Sequence, residues 1–142
     1  MAVHVLAVLA YQDEGRVTSR FLAGSVNTNP VIIRRLLLSL QKAGLVNTCK
    51  GAGAGSCLAR SAQRINLADV YRSVEDAESF ATPARKPSMA CPVGRCILPA
   101  LERVFSSAQS ALERDLAETT LADVMDAVNG GGKKLSGRVV AT

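Results

Sequence analysis

The chain has 142 residues, of which 48% are hydrophobic and 20% charged, and its mean hydropathy is +0.17, which excludes a disordered chain and predicts one domain, or a domain with an appendage. Trp is absent and aromatic residues make up only 4%, which argues against a surface that reads single-stranded nucleic acid by stacking. Lys and Arg number 17 against 12 Asp and Glu, a net charge of +5 that permits a nucleic-acid or anionic-membrane partner without proving one.

Val3 to Tyr11 carries apolar residues at 3, 6, 7 and 10, a helical period. His4 is expected to be packed within that apolar helix. The apolar run ends at Ala10, far short of the roughly 20 residues that span a bilayer. No Lys or Arg precedes Arg16, so the charged start of a signal peptide is missing. The expected location is the cytoplasm, where Cys49, Cys57, Cys91 and Cys96 begin as thiols.

Gln12 to Arg16 reads as a turn. A short helix follows from Val17 or Thr18 through Ala23, broken by Gly24-Ser25. Asn29-Pro30 opens the next helix, because Asn caps well and Pro suits the first helical position. It runs through Ile33, Leu36, Leu37 and Leu40 to Lys42, with Gly44 as its terminator. Two short helices in this order make a helix-turn-helix pattern. Leu45–Cys49 and Ser56–Arg60 are strand-like around a glycine-rich turn, a β-hairpin that turns the pattern into a winged helix. The glycines lead into a strand rather than a helix, which excludes a nucleotide loop. Cys49 and Cys57 are symmetric about Gly53, so they either face each other across the hairpin or are simply small strand residues.

Asn66-Leu67-Ala68-Asp69 caps a helix with Leu67, Val70, Tyr71 and Val74 apolar. Residues 78–90 form a linker. Pro92 opens the longest helix, to about Ala117. Its residues Ile97, Leu101, Val104, Ala108 and Ala111 make a heptad-like seam, widened by Leu98, Phe105 and Leu112. A face this wide has little to cover it in a small domain, so a second copy is expected there. Thr120-Leu121-Ala122-Asp123 caps a last helix to Val128. The expected fold is mostly α, an α+β winged helix-turn-helix with a long C-terminal dimerisation helix. The divisions are a DNA-binding domain at 1–77, the linker at 78–90, the dimerisation helix and short last helix at 91–129, and a loose tail at 130–142.

Charge is uneven. Arg16, Arg20, Arg34, Arg35, Lys42, Lys50, Arg60 and Arg64 fall in a stretch without Asp or Glu. Such a stretch suits a polyanion, unless it is an ordinary solvated face. In a helix-turn-helix the second helix enters the major groove N-terminus first. That places Thr28, Asn29, Val31, Arg34 and Arg35 nearest the bases, with Asn29 partly committed to its cap. Arg34 and Arg35 read bases or hold phosphates. Thr18, Ser19 and Arg20 start the first helix, where free N–H groups suit phosphate. Lys50, Gly51 and Gly53 lie where a wing meets the minor groove. No Ser/His/Asp set, carboxylate pair or metal-spaced His cluster appears, so no enzyme site is expected.

Several segments taken in order, Leu22-Ala23, Asn29-Pro30, Lys42 to Val46, the three wing glycines, Leu58-Ala59-Arg60 and Ile65 to Val70, resemble the Rrf-two family. These are bacterial winged helix-turn-helix regulators that include the iron–sulfur cluster regulator and the nitric-oxide-sensitive repressor. The resemblance runs from Val3 to Val128. It is nearest to small members that carry Cys-Pro-Val-Gly, here Cys91 to Gly94, and Leu-Ala-Asp-Val-Met, here Leu121 to Met125. It implies a homodimeric repressor on a palindromic duplex, with dimerisation through Ile97, Leu101, Val104, Phe105, Ala108 and Leu112; the alternatives are a redox- or nitric-oxide-responsive thiol or iron–sulfur sensor regulator, or a winged-helix protein-interaction module that binds no DNA. Members usually have about ten more residues before the first helix, one of them basic, so a truncated or misassigned start is expected. The family wing usually reads Gly-Pro-Gly-Gly-Gly, here Gly51-Ala52-Gly53-Ala54-Gly55. Cluster-binding members supply three cysteines where this chain has Cys91 and Cys96, so no iron–sulfur cofactor is expected. Cys91, just before Pro92, sits where free N–H groups favour a thiolate, which makes Cys91 and Cys96 redox candidates.

Overall fold

The computed structural model describes residues 1–12, 15–75, 80 and 83–130. The expected turn at 12–16 and the linker at 78–90 lie partly outside these residues, and the expected tail lies outside them from 131 onward. Six α-helices and one β-hairpin are described: α1 (Ala2–Tyr11), α2 (Ser19–Val26), α3 (Pro30–Lys42), β1 (Val46–Cys49), β2 (Gly55–Leu58), α4 (Leu67–Val74), α5 (Pro92–Ala117) and α6 (Leu121–Val128). A single 3-10 turn at Ala62–Arg64 joins the hairpin to α4. No helix among the described residues is long and apolar enough to cross a membrane.

The chain folds this way because its helix ends are written locally. Thr18 Oγ1 accepts from the Phe21 N–H at 3.2 Å and caps α2. Asn29 Oδ1 accepts from the Val31 N–H at 2.8 Å and caps α3, with Pro30 in its first turn. Gly44, at φ +70, ends α3. Its N–H donates to the Gln41 carbonyl at 3.0 Å, and the Leu45 N–H donates to the Leu40 carbonyl at 3.0 Å. That pair of bonds satisfies the last carbonyls of the helix and turns the chain into β1.

Two helix starts are fastened together. Asn66 Oδ1 caps α4 by accepting from the Asp69 N–H at 2.9 Å. Thr120 and Asp123 cap α6 reciprocally. The same Leu-Ala-Asp-Val follows each cap. The Leu67 N–H donates to the Thr119 carbonyl at 2.9 Å, and the Leu121 N–H donates to the Ile65 carbonyl at 2.8 Å. These bonds seat α6 beside the winged helix and bury Leu121 completely. The fully buried side chains Leu6, Leu22, Ile33, Leu40, Leu45, Ile65 and Leu121 come from α1, α2, α3, the residues that lead into β1 and α4, and α6, and none comes from α5.

Helix α5 stands apart from that core and has no fully buried residue. It is held to α4 by polar contacts. Arg72 Nε donates to Glu113 Oε2 at 2.8 Å, and Gln109 Nε2 donates to the Tyr71 hydroxyl at 3.3 Å and to Glu113 Oε1 at 3.1 Å. The Gln109 amide, and next the Arg72 guanidinium, hold the Glu113 carboxyl below the usual carboxylate range. A depressed pKa stabilises the fold above the ordinary carboxylate value, and that support is lost as pH falls through the folded value. The α4–α5 contact is therefore intact at neutral pH and loosens in acid.

Four expectations are corrected. The buried face of α1 is Ala2, Val5, Leu6 and Leu9; of the expected residues 3, 6, 7 and 10 only Leu6 is buried, and Val3, Ala7 and Ala10 are half-buried at its edge. Apolar residues surround most of this helix, so the sequence alone leaves its rotation open. His4 is exposed, and its Nε2 lies 3.1 Å from Ser25 Oγ on α2. Gly24 and Ser25 lie inside α2, which ends at Asn27 in the left-handed conformation (φ 59). Gly within a helix costs only about 1 kcal/mol, whereas Asn takes the left-handed position readily. In the hairpin, Cys49 opposes Gly55 and Cys57 opposes Asn47. The hairpin is centred on Ala52 rather than Gly53, so the two cysteines are not a directly opposed pair.

Candidate nucleic-acid interface

Helix α3 has two faces. Ile33, Leu37 and Leu40 are buried and Leu36 is half-buried, while Val31, Arg34, Arg35 and Leu38 are exposed. The exposed four stand at i, i+3, i+4 and i+7, one continuous row. Only three residues, Asn27 to Asn29, separate α3 from α2, so the two form a helix-turn-helix pair in which the first turn of α3 follows closely on the end of α2. Arg35 and Arg20 are exposed, and neither forms an ion pair among the described residues. Arg34 folds back, its Nε donating to the Pro30 carbonyl at 3.3 Å. Asn29 spends its side-chain oxygen on the cap, and Thr28 is half-buried.

The wing lies beside this row. A cleft of about 400 Å³ is lined by Thr18 and Ser19 at the start of α2, by Arg34 and Leu38 on α3, and by Thr48 and Lys50 at the end of β1. Three segments distant in sequence thus converge on one concavity. Arg16, Arg20, Arg34, Arg35, Lys42 and Lys50 are all exposed, and the stretch between residues 16 and 64 contains no acid to oppose an anion. Arg60 is used otherwise: its Nη1 lies 3.6 Å from Asp69 Oδ2, and its Nε donates to the Gly44 carbonyl at 3.3 Å.

Two contributors were not legible in the sequence. Leu38 is 59% exposed, an apolar tip in a polar row, and its only signal is its i+7 spacing from Val31. Arg16 reaches across the turn, and its Nη1 donates to the carbonyl of Gly53 at the wing tip, 3.1 Å away. Beneath that contact the wing has a third rung. The Val17 N–H donates to the Ser56 carbonyl at 2.9 Å, and the Ser56 N–H donates to the Val17 carbonyl at 2.8 Å. Buried Ser56 also places its hydroxyl 3.1 Å from that of Thr48. The wing is therefore pinned rather than free, at its tip by Arg16 and along β2 by Val17.

The thiols are dispersed. Cys91 is the N-cap of α5, with no capping hydrogen bond from its side chain. Cys91 and Cys96 are both exposed, while Cys49 and Cys57 are half-buried in the wing. Five residues along an α-helix turn through about 140° more than one full turn, so Cys91 and Cys96 do not share a face. Gly94 serves the Ser88–Cys91 turn that precedes α5, because a Cβ there would overlap the Ser88 carbonyl oxygen. Among the described residues no three His, Cys, Asp or Glu side chains gather as a metal site.

Comparison with known proteins agrees with the fold. The Rrf2 family model, described as an iron-dependent transcriptional regulator, matches residues 1–127. YwnA of Bacillus subtilis, described as a proposed helix-turn-helix-type transcriptional regulator, is 36% identical over 126 residues, covering 89% of this chain and 92% of YwnA. The crystal structure of a proposed DNA-binding protein superposes with a TM-score of 0.70 at 37% identity, covering 87% of this chain and 95% of its own. A proposed transcriptional regulator from Lactobacillus plantarum superposes with a TM-score of 0.77 at 28% identity, covering 92% of this chain and 89% of its own.

Proposed function

We propose that this chain, which belongs to the Rrf2 family of transcriptional regulators, is a homodimeric repressor that holds a palindromic duplex with helix α3 and the wing. DNA-binding regulation is the function of the family; the dimer, the sign of regulation and the residues are this reading. The observation that carries it is the exposed row Val31, Arg34, Arg35 and Leu38, of which Arg34 and Leu38 line one acid-free concavity with Lys50 and the start of α2. Arg35 takes a guanine edge, where a guanidinium bonds N7 and O6 together, and Val31 and Leu38 suit thymine methyls. Thr18, Ser19 and Arg20 take phosphate. Lys50, Gly51 and Gly53 follow the adjacent groove. A two-fold dimer presents two such rows, so half-sites lie about one helical turn, or a multiple, apart. Acting on chromosomal DNA, the protein works in the cytoplasm.

The test is a titration of the purified protein against duplexes selected from genomic DNA. Arg35→Ala should cost about 1–3 kcal/mol per half-site and relax base preference at one position in each. Lys50→Ala should weaken every sequence about equally and flatten the salt dependence by about one unit of slope per protomer. Equal losses on cognate and random duplex for Arg35→Ala would make Arg35 a phosphate contact instead.

Regulation in this reading needs no iron. Protein prepared without oxygen should be colourless and should still bind its duplex. Cys91, exposed at the start of α5, is the thiol that supports a redox response. An oxidant that weakens DNA binding should lose its effect in Cys91→Ser and keep it in Cys49→Ser. A brown preparation whose DNA binding vanishes with its iron would refute the cluster-free reading.

A further inference from the structure

A second and larger cleft of about 1030 Å³ lies between the end of α1, the end of β2 with the residues that follow it, and α6. Among the described residues its lining combines the cations Arg16 and Arg60 with the carboxylate Asp126 and the apolar Leu58 and Met125. Arg60 already shares its charge with Asp69 at 3.6 Å. Arg16 forms no ion pair among the described residues, and its one hydrogen bond is to the neutral carbonyl of Gly53. Asp126, on α6, is exposed. A small-molecule site sets polar groups that fix orientation beside an apolar wall; in this cleft, whose lining is more polar than apolar, Arg16 and Asp126 are the polar groups and Leu58 and Met125 the apolar wall.

We propose that this cleft binds a free α-amino acid with an apolar side chain, and that Arg16 links the bound ligand to the wing. The charges set the ligand class. A carboxylate suits the Arg16 guanidinium, and an ammonium suits Asp126. A plain dianion would meet the Asp126 carboxylate, and a plain cation would meet Arg16. The half-buried Leu58 and Met125 receive the side chain.

The link to DNA follows from the hydrogen bond that Arg16 already makes. A guanidinium bonds a carboxylate more strongly than a neutral carbonyl. A ligand that engages Arg16 therefore competes with Gly53 and releases the wing tip. A ligand shifts an equilibrium only through its different affinity for the two states. Here the two states are a wing pinned by Arg16 and a wing without that tether. Coupling is reciprocal, so operator DNA that favours the pinned wing should also expel the ligand. The inference rests on the wing meeting DNA, as proposed above, for its regulatory half only.

The experiment uses the full chain with L-leucine, L-methionine and L-valine as probes. 4-Methylpentanoate, which lacks the ammonium, and isopentylamine, which lacks the carboxylate, serve as controls. Calorimetry without DNA reads the cleft, and duplex titration reads the coupling. At least one amino acid should bind and weaken duplex binding about tenfold, within the usual span of allosteric coupling, while the two controls should do neither. Asp126→Ala should bind duplex like the wild type and lose both the heat and the amino-acid effect. Arg16→Ala should lose the amino-acid effect as well. If none of the three amino acids gives heat, or Asp126→Ala binds them unchanged, the site assignment is overturned. Binding without any change in duplex affinity overturns the link through Arg16. A wild-type protein that ignores duplex DNA altogether sinks the DNA-contact reading instead, while calorimetry still decides the cleft.

Discussion

Val104→Lys should leave a folded monomer that no longer holds its palindrome. Val104 is 61% exposed on α5, so a lysine there meets water rather than the chain's own core. The substitution is therefore nearly silent for the fold of one copy. The same holds, less completely, for the neighbouring face. Ile97, Leu98 and Leu101 are half-buried, Ala111 is exposed, and Leu112 is 38% exposed. Phe105 belongs partly to its own chain, because its ring stacks on Phe80 at 4.8 Å with the planes 5° apart. The unpartnered part of the seam is thus centred on Val104, with Leu101 and Ala108 beside it.

In a two-fold dimer one substitution acts in both copies. Burying a valine contributes roughly 1.5–3 kcal/mol, and two lysine ammonium groups would be desolvated near each other in its place. A loss of about 3–6 kcal/mol weakens the dimer by roughly 100-fold to 10⁴-fold. Light scattering should report monomers, circular dichroism an unchanged helix content, and duplex titration a loss of the palindrome's advantage over a single half-site. A Val104→Lys protein that remains a dimer with full operator affinity would move the interface away from α5.

The features legible in the sequence are those decided within four or five residues. Asn29-Pro30, Gly44, Asn66 and Thr120 each bound a helix where the sequence places them, because a cap is a contact between near neighbours. Helix α5 begins at Pro92 for the same reason. The row on α3 was legible as far as Arg35, because Arg and Val carry recognisable chemistry. Leu38 was not, since a leucine between Leu37 and Leu40 reads as core until the helix is packed. The end of α2 depended on two competing local signals, Gly24 and Asn27, and only tertiary packing chose between them. What the sequence hid altogether was contact at long range. The Arg16 bond to Gly53 spans 37 residues, His4 meets Ser25 across 21, and the fastening of α4 to α6 joins Leu67 to Thr119. Hairpin register was hidden as well, because a glycine-rich turn can be centred on more than one residue without changing its composition.

Gly55→Val should detach the wing while leaving the rest of the fold intact. Gly55 stands opposite Cys49 in the hairpin, where the backbone of Arg16 passes over the strand. A Cβ at Gly55 would lie 2.8 Å from Arg16 Cβ and 3.1 Å from both the Arg16 carbonyl carbon and the Val17 carbonyl oxygen. The last two are backbone atoms and cannot rotate aside. To admit a valine, residues 16–17 must move off β2, which breaks both bonds between Val17 and Ser56. Each such bond contributes about 0.5–1.5 kcal/mol, and crowding adds about 1–3 kcal/mol. The expected loss is therefore roughly 2–6 kcal/mol of folding stability.

The same movement carries the Arg16 guanidinium away from Gly53, so the wing loses its tip contact together with its bonds along β2. Helix α3 and its row of Val31, Arg34, Arg35 and Leu38 rest on Ile33, Leu37 and Leu40, which this change does not touch. Duplex binding should fall, but base preference along the row should persist. That separates Gly55→Val from Arg35→Ala, in which preference changes and the wing stays. Exchange of the Val17 and Ser56 amide hydrogens should rise in the variant and not in Arg35→Ala. Protected amides at Val17 and Ser56 in Gly55→Val would mean that the strand accommodates the side chain and that glycine is not required there.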